Sequence, residues 1–371
     1  MARILAFATQ GSGGDDEARL RGLLAALPAE FFPFDRRAKK ASLRALRAAI
    51  RRDRPDLVVM EGTGLAGGLA VLAGRLLHGV PYVVSSGDAV GPFLAARRPI
   101  LGPFAAAYER LLCRLAAGFI GWSPYLTGRA LTFGTPRAMT AASWAPAPRS
   151  GEHLASARAE VRGRLGIPPD ATVFGIIGSL GLTRRVGYCY GLELARALAK
   201  VDRPDVRALI VGDGDGRPRL EEIGRSIPGG RLVLTGRVPR DAVPDHLAAM
   251  DVASLPQSVD GVGSFRYTTK ISEYLDAGLP VVTGRIPMAY DLDGGWLWRL
   301  AGRAPWDEAY VEALAVLMRT ITPEALATRR AAVPRSLPEF DRARQVARVT
   351  AFLTELIADR GGQVVTPSPI G

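Results

Sequence analysis

Apolar residues fall along this chain in two alternating textures. Short continuous runs, Arg3–Ala8, Asp56–Met60, Tyr82–Ser85 and Gly118–Trp122, read as buried strands. Between them, Asp16–Leu27, Ser42–Arg52, Leu65–Leu77 and Phe104–Ala117 place apolar residues every three or four positions, as helices do. Alternation of this kind predicts a parallel, doubly wound sheet. A Pro/Ala/Ser-rich stretch, Ala145–Ser150, interrupts it and reads as a linker. A second series begins near Thr172, with strands Val173–Ile177, Arg207–Val211, Leu232–Leu234, Ala253–Leu255 and Pro280–Thr283. Its helices are Gly191–Lys200, Arg219–Ser226, Asp241–Met250 and Thr269–Ala277. A last helix is expected at Asp341–Ala358, followed by a frayed end at Gly361–Gly371. The fold class is therefore α/β, with two Rossmann-like parallel-sheet domains facing a cleft. Their boundaries are expected at 1–150, 151–340 and, for the closing helix and tail, 341–371.

Length and composition add little to this. The 371 residues, 48% hydrophobic and 23% charged, suit two ordinary globular domains. No apolar run is long enough to span a bilayer, and Met1–Thr9 lacks the basic start and cleavage site of a signal peptide. The two cysteines, Cys113 and Cys189, fall in different domains and make neither a disulfide framework nor a metal site. A cytoplasmic location is expected. The net charge of +12 is carried almost wholly by arginine, which by itself implies no nucleic-acid partner.

The charge is uneven. Arg36, Arg37, Lys39, Lys40, Arg44, Arg47, Arg51, Arg52 and Arg54 crowd one segment in which Leu43, Leu46 and Ile50 keep helical spacing. This basic amphipathic helix is read first as a solvated surface helix packed on the N-terminal sheet. The alternatives are contact through Arg36–Arg54 with an anionic membrane surface, at the inner membrane face, or with a phosphorylated acceptor. A second lipid-facing candidate is Arg97–Phe104, where a basic pair abuts an apolar turn.

The most informative stretch is Tyr267–Val282. Ile271, Tyr274, Leu275 and Gly278 form an inward stripe, while Lys270 and Glu273 lie one turn apart on the other side. Thr268 or Thr269 can cap the helix, and Gly278 with Pro280 ends it. A helix N-terminus bearing a cation and a carboxylate suits a sugar diphosphate. An exposed Lys–Glu pair, worth about 0.3 kcal/mol, has the same spacing.

Other motifs are more ambiguous. The loop Thr9–Asp16 carries Gly11, Gly13 and Gly14, which miss the spacing of a dinucleotide fingerprint and equally suit a tight turn. Gly178 and Ser179 end a strand, and the adjacent Arg184 and Arg185 follow, either as plain surface or as phosphate ligands. Asp213 and Asp215 in Val211–Gly216 read as turn residues rather than a metal-binding pair, so no metal is expected. The histidines, His78, His153 and His246, form no triad or metal cluster. Asp88, after the fourth strand, either orients a substrate or caps the next helix.

Thr269–Val282 resembles the signature helix of the GT-B nucleotide-sugar glycosyltransferases of the large retaining family numbered four, with its pattern P-x-K-x-x-E-Y-x-A-x-G-x-P-V-V. In that family the Glu holds the donor ribose and the Lys lies near the diphosphate, roles the resemblance carries to Glu273 and Lys270. It also implies that Arg185, with Arg184 beside it, neutralises the diphosphate and that Gly13 and Gly14 close over donor or acceptor. Gly212 opens the family's G-x-G-P-like turn. The backbone of Arg237 and Val238 is matched to the donor base. Gly178, Ser179, Ser264, Tyr267, Thr268 and Thr269 complete the expected donor-binding set. There are two departures: Ser179 stands where the family has a basic residue, and Phe265 where many members have a first glutamate.

The resemblance implies a retaining, metal-independent glycosyltransferase without a cofactor. An N-terminal acceptor domain and a C-terminal nucleotide-sugar domain would be joined by a helix crossing back. Arg185, Lys270, Glu273 and Asp88 are the expected catalytic residues. A sugar-nucleotide epimerase of the same fold, or a non-catalytic sugar-nucleotide-binding scaffold, are the alternatives. Donor sugar and acceptor are not legible.

Overall fold

The computed structural model describes residues 2–145 and 151–362. Apart from Ala145, the expected linker lies outside the described residues, as does the tail from 363 onward. Two compact units emerge. The first comprises Met1–Ser143 with Phe265–Tyr267 and Pro338–Gly371; the second comprises Trp144–Ser264 and Thr268–Leu337.

In the first unit the chain runs β1 (Ile4–Ala8), α1 (Asp15–Leu23), β2 (Ala29–Phe31), α2 (Lys39–Asp53), β3 (Leu57–Glu61), α3 (Leu65–His78), β4 (Tyr82–Ser86), α4 (Val90–Arg97), α5 (Gly102–Leu115), β5 (Gly118–Gly121), α6 (Pro124–Thr132) and β6 (Ala138–Thr140). The second unit runs α7 (Gly151–Arg164), β7 (Thr172–Ile177), α8 (Leu192–Leu198), β8 (Val206–Val211), α9 (Arg217–Arg225), β9 (Leu232–Gly236), α10 (Val243–Ala248), β10 (Val252–Leu255), α11 (Thr269–Asp276), β11 (Val281–Gly284), α12 (Met288–Asp291), β12 (Leu297–Leu300), α13 (Glu308–Thr320) and α14 (Pro323–Ala331). The closing helix α15 (Arg342–Gly362) belongs to the first unit.

Each unit has one six-stranded sheet, ordered β2-β1-β3-β4-β5-β6 and β12-β11-β10-β7-β8-β9, and every pairing is parallel. Helices on both faces explain why β1, β3 and β4 are buried along their whole length and read as continuous apolar runs. The chain reverses its direction of winding between β1 and β3 in the first sheet and between β7 and β10 in the second. Ligands of open α/β sheets bind beyond the carboxyl ends of the strands at such points.

Several boundaries differ from expectation for local reasons. Helix α1 stops at Leu23 rather than Leu27, because Pro28 disfavours helical geometry at the preceding residue and Leu24–Leu27 close as a turn. Helix α10 is shortened to Val243–Ala248, with Pro244 in its first turn. The edge strands β2, β6 and β12 have only 3 to 4 residues each, too few to show a period. The unexpected α7 is polar around most of its circumference. It is fixed by ionic contacts: Arg158 and Arg162 donate to opposite oxygens of the buried Asp251 at 2.6 and 2.7 Å, and Asp251 also accepts the Val173 amide at 2.8 Å.

Helix α15 closes the first unit by packing on β5. A Cβ at Gly118 would lie 2.8 Å from Phe352 and 2.9 Å from Leu356, so the glycine permits this approach. Both cysteines are buried and free, their thiols pushed up by burial to about 12 for Cys113 and about 11 for Cys189, values that make them inert packing residues.

Candidate functional site

The second unit places most of the expected residues beyond the carboxyl ends of its strands β7 to β10. Gly178 and Ser179 follow β7, Gly212 follows β8, Arg237 and Val238 follow β9, and the segment leading to α11 follows β10. Gly178 and Gly212 both adopt φ of +147°. A Cβ at Gly212 would fall 1.8 Å from the Gly178 carbonyl oxygen, so only glycine lets these two strand ends meet.

Lys270 comes to the same point. A Cβ at Gly178 would lie 2.9 Å from its Cε and 3.1 Å from its Nζ, and the ammonium sits 4.4 Å from the centroid of the Tyr190 ring. The ammonium is thus positioned by a bare backbone and an aromatic face beside the switch point. Two features hold α11 there. Ile271, Tyr274 and Leu275 are buried, and the Tyr274 hydroxyl donates to the Ser254 carbonyl of β10 at 3.0 Å. Thr268 is the N-cap in extended geometry, yet its side chain makes no capping bond and its hydroxyl oxygen is buried without a partner. Thr269, Lys270 and Glu273 follow on the first turn and a half, Glu273 being half-buried.

Arg184 and Arg185 are exposed at the tip of a small hairpin closed by the Thr183–Tyr188 bridge. Asp213 accepts the Gly214 amide at 2.8 Å, and Asp215 accepts the Leu182 amide at 2.6 Å, so both carboxylates stabilise turns. Among the described residues no group of three or more His, Cys, Asp or Glu could hold a metal ion. Asp260 likewise accepts the Val262 and Gly263 amides, at 2.8 and 2.9 Å, and shapes the loop that contains Ser264.

Below this surface lies Glu193, which sequence reasoning missed. It is fully buried and accepts bonds from the Tyr188 hydroxyl at 2.8 Å and the Ser254 hydroxyl at 3.0 Å. Burial pushes its carboxyl up to about 7. The available signal was a lone acid inside the apolar run Leu192–Leu198.

The first unit holds a second polar cluster, also beyond its strand ends. The buried Arg19 of α1 donates to Glu61 at 2.7 Å, to Ser85 at 3.1 Å and to the Ala141 carbonyl. Its guanidinium lies 4.2 Å from the centroid of the Trp122 ring, whose indole N–H donates to Glu61 at 3.0 Å. Asp16, one turn before Arg19, is pushed up to about 6, first by burial and then by the charge of Glu61. None of Arg19, Glu61 or Trp122 was expected. Their one visible trace was a carboxylate ending the apolar run Leu57–Met60.

Gly13 and Gly14 lie in the loop after β1. The Gly13 amide is already occupied, donating to Glu17 Oε2 at 2.6 Å, and Asp15, Asp16 and Glu17 make the first turn of α1 acidic. Asp88 accepts Arg266 Nε at 2.6 Å, and the N-cap of α4 is Ala89 rather than Asp88. Phe265 and Tyr267 are packing residues of this unit. The Phe265 carbonyl accepts the Ser123 hydroxyl at 2.5 Å, and the Arg129 guanidinium lies 5.3 Å from its ring centroid. Tyr267 is buried, with the rings of Tyr125 and Phe340 at 5.7 and 6.0 Å.

Comparison with known proteins agrees with this architecture. Residues 2–142 match the glycosyl transferase 4-like domain, and residues 171–320 match the glycosyl transferases group 1. The chain is 28% identical over 266 residues to the 2-deoxystreptamine N-acetyl-D-glucosaminyltransferase of Streptomyces fradiae, an alignment spanning 64% of this chain and 59% of that relative. In structure it resembles Anabaena HepE, solved with UDP-glucose, at a TM-score of 0.71 and 17% identity, over 96% of this chain and 100% of that one. Sucrose-phosphate synthase from Thermosynechococcus elongatus superposes with a TM-score of 0.64 at 16% identity, over 98% of both chains. The two sheets, the α11 motif and the two domain matches together make this chain a GT-B protein of the group 1, family-4-type glycosyltransferases.

Proposed function

We propose that this protein transfers a sugar from a nucleoside-diphosphate sugar to an acceptor hydroxyl, with retention of configuration and without a metal or cofactor. The observation that carries the reading is the Lys270 ammonium, set against Gly178 at the β7 switch point beside the uncapped start of α11. Departure of an anionic diphosphate is the difficult step of such a reaction, and fixed positive charge with helix amides stabilises it. Lys270 and the Thr268–Thr269 end of α11 supply that stabilisation. Arg185, with Arg184, adds bidentate contacts from the hairpin tip, and Glu273 takes the ribose hydroxyls.

The acidic first turn of α1 and the occupied Gly13 amide argue for acceptor rather than phosphate contact by the Gly13–Gly14 loop. Asp88 then acts from its ion pair with Arg266, as an acceptor-orienting group. UDP-glucose bound to HepE makes a uridine nucleotide the first donor to test.

The direct experiment is turnover of Lys270→Ala and Glu273→Ala, read as donor consumption with a panel of nucleotide sugars and acceptors. Each variant is expected to lose at least about a hundredfold in rate while its circular dichroism is retained. Near-normal rates in both would overturn the assignment.

A further inference from the structure

The large apolar side chains that remain exposed are concentrated in the first unit, between Leu65 and Leu111. Helix α3 shows Leu65, Leu69 and Leu76 along one line, with Leu77 beside them, at 44 to 65% exposure. The turn before α5 shows Ile100 at 86%, and α5 itself shows Phe104 at 74% and Leu111 at 45%. Helices α3 and α5 touch where Tyr108 crosses Gly68: a Cβ there would be 1.9 Å from the Tyr108 hydroxyl, which donates to the Thr63 carbonyl at 3.1 Å. Leu65 and Leu69 flank Gly68, and Phe104 and Leu111 flank Tyr108 by one turn on either side. The two exposed stripes therefore adjoin each other.

The charge around this surface has one sign. Arg75, Arg97, Arg98, Arg110 and Arg114 are exposed on its elements. From Gly62 to Gly118 the acids are Asp88 and Glu109. Asp88 is paired with Arg266; Glu109 is buried, with Arg129 held at 2.9 and 2.7 Å on its two oxygens. No uncompensated negative charge faces outward here. Exposed apolar groups rimmed by cations match a surface of acyl chains under anionic headgroups.

The basic helix α2 lacks this combination. Leu46, Ala49 and Ile50 are buried in the core, so its exposed side carries basic residues and alanines but no large exposed apolar side chain.

We infer that the face formed by the α4–α5 turn and the outer sides of α3 and α5 docks on an anionic lipid bilayer. Phe104 and Ile100 insert, Leu65, Leu69, Leu76 and Leu111 lie flat, and Arg97 and Arg98 meet the headgroups. The inference does not depend on the transferase reading.

The test is co-flotation of the full chain with vesicles of phosphatidylcholine alone and of phosphatidylcholine with about one-third phosphatidylglycerol. Binding is expected only to the anionic vesicles and should weaken in raised salt. A double variant, Ile100→Ser with Phe104→Ser, should bind about tenfold more weakly, as should Arg97→Ser with Arg98→Ser. These side chains are exposed, and an unchanged melting temperature verifies that the variants fold. Arg44→Ser with Arg47→Ser on α2 should retain most of the binding. No binding to anionic vesicles overturns the inference. So does binding lost with the α2 pair but kept without Ile100 and Phe104. Concentration-dependent dimerisation abolished by Phe104→Ser, without vesicle binding, would instead assign the face to a second copy of this chain.

Discussion

Gly178 shows how closely the site depends on single atoms. With φ of +147° and Lys270 Cε 2.9 Å from where a Cβ would stand, Gly178→Ala adds backbone strain and pushes the lysine aside. Stability should fall by about 1–3 kcal/mol. Nucleotide affinity should fall by about tenfold as well, the usual loss when one charged contact is misplaced. A loss of stability without loss of affinity in a titration calorimetry series would show that Lys270 does not contact the ligand. Glu193 gives a separate, pH-dependent test. Its folded carboxyl titrates near 7, above the usual carboxylate range, so the folded protein holds a proton that the unfolded chain releases at lower pH. Stability from this group is present below about pH 4.5 and is lost as pH rises towards 7, by about 3 kcal/mol in all. Glu193→Gln removes the titration while keeping the shape. Wild type minus variant should therefore slope downward across that window in denaturant melts; a flat difference would show that Glu193 is already ionised there.

At the scale of elements, α11 was the most legible part of the chain. Ile271, Tyr274 and Leu275 face inward as their spacing predicts, and the Gly278 stop and following strand stand where local signals put them. Gly278 itself lies past the helix end and outside the buried stripe. Gly278 has φ of +63° and open space where a Cβ would go, so Gly278→Ala should cost about 1 kcal/mol from backbone conformation alone. Chemical denaturation should show this loss with nucleotide affinity unchanged. A loss of affinity as well would mean that the helix end adjusts the site. What was not legible depends on distant partners. Phe265 stands where many family members have a glutamate, and nothing local announces that its carbonyl accepts Ser123 and its ring faces Arg129 in the first unit. Arg19, Glu61 and Trp122 come from α1, β3 and the end of β5, and no local pattern announces that they meet. The basic face of α2 was visible at once, but only burial of Leu46 and Ile50 shows which side is left outside.

For the molecule as a whole, two parallel sheets followed from alternation of strand and helix, and the family from one motif set within the second series. The return of α15 to the first unit was expected only through the resemblance; physically it rests on the gap at Gly118 that admits Phe352 and Leu356. The short edge strands and the polar α7 were missed because each is defined by a neighbour rather than by its own period. The central claim is that the second unit binds a nucleoside diphosphate beside Lys270. Ligand-induced thermal stabilisation of wild type and Lys270→Ala, with UDP, GDP, ADP and their common sugars, addresses it directly, since a ligand that binds only the folded state raises its melting temperature. One nucleotide base should stabilise the wild type, and Lys270→Ala should fold normally yet need at least about tenfold more of that ligand for the same shift. No stabilisation of the wild type by any of these nucleotides, or an equal response from the variant, would contradict the account.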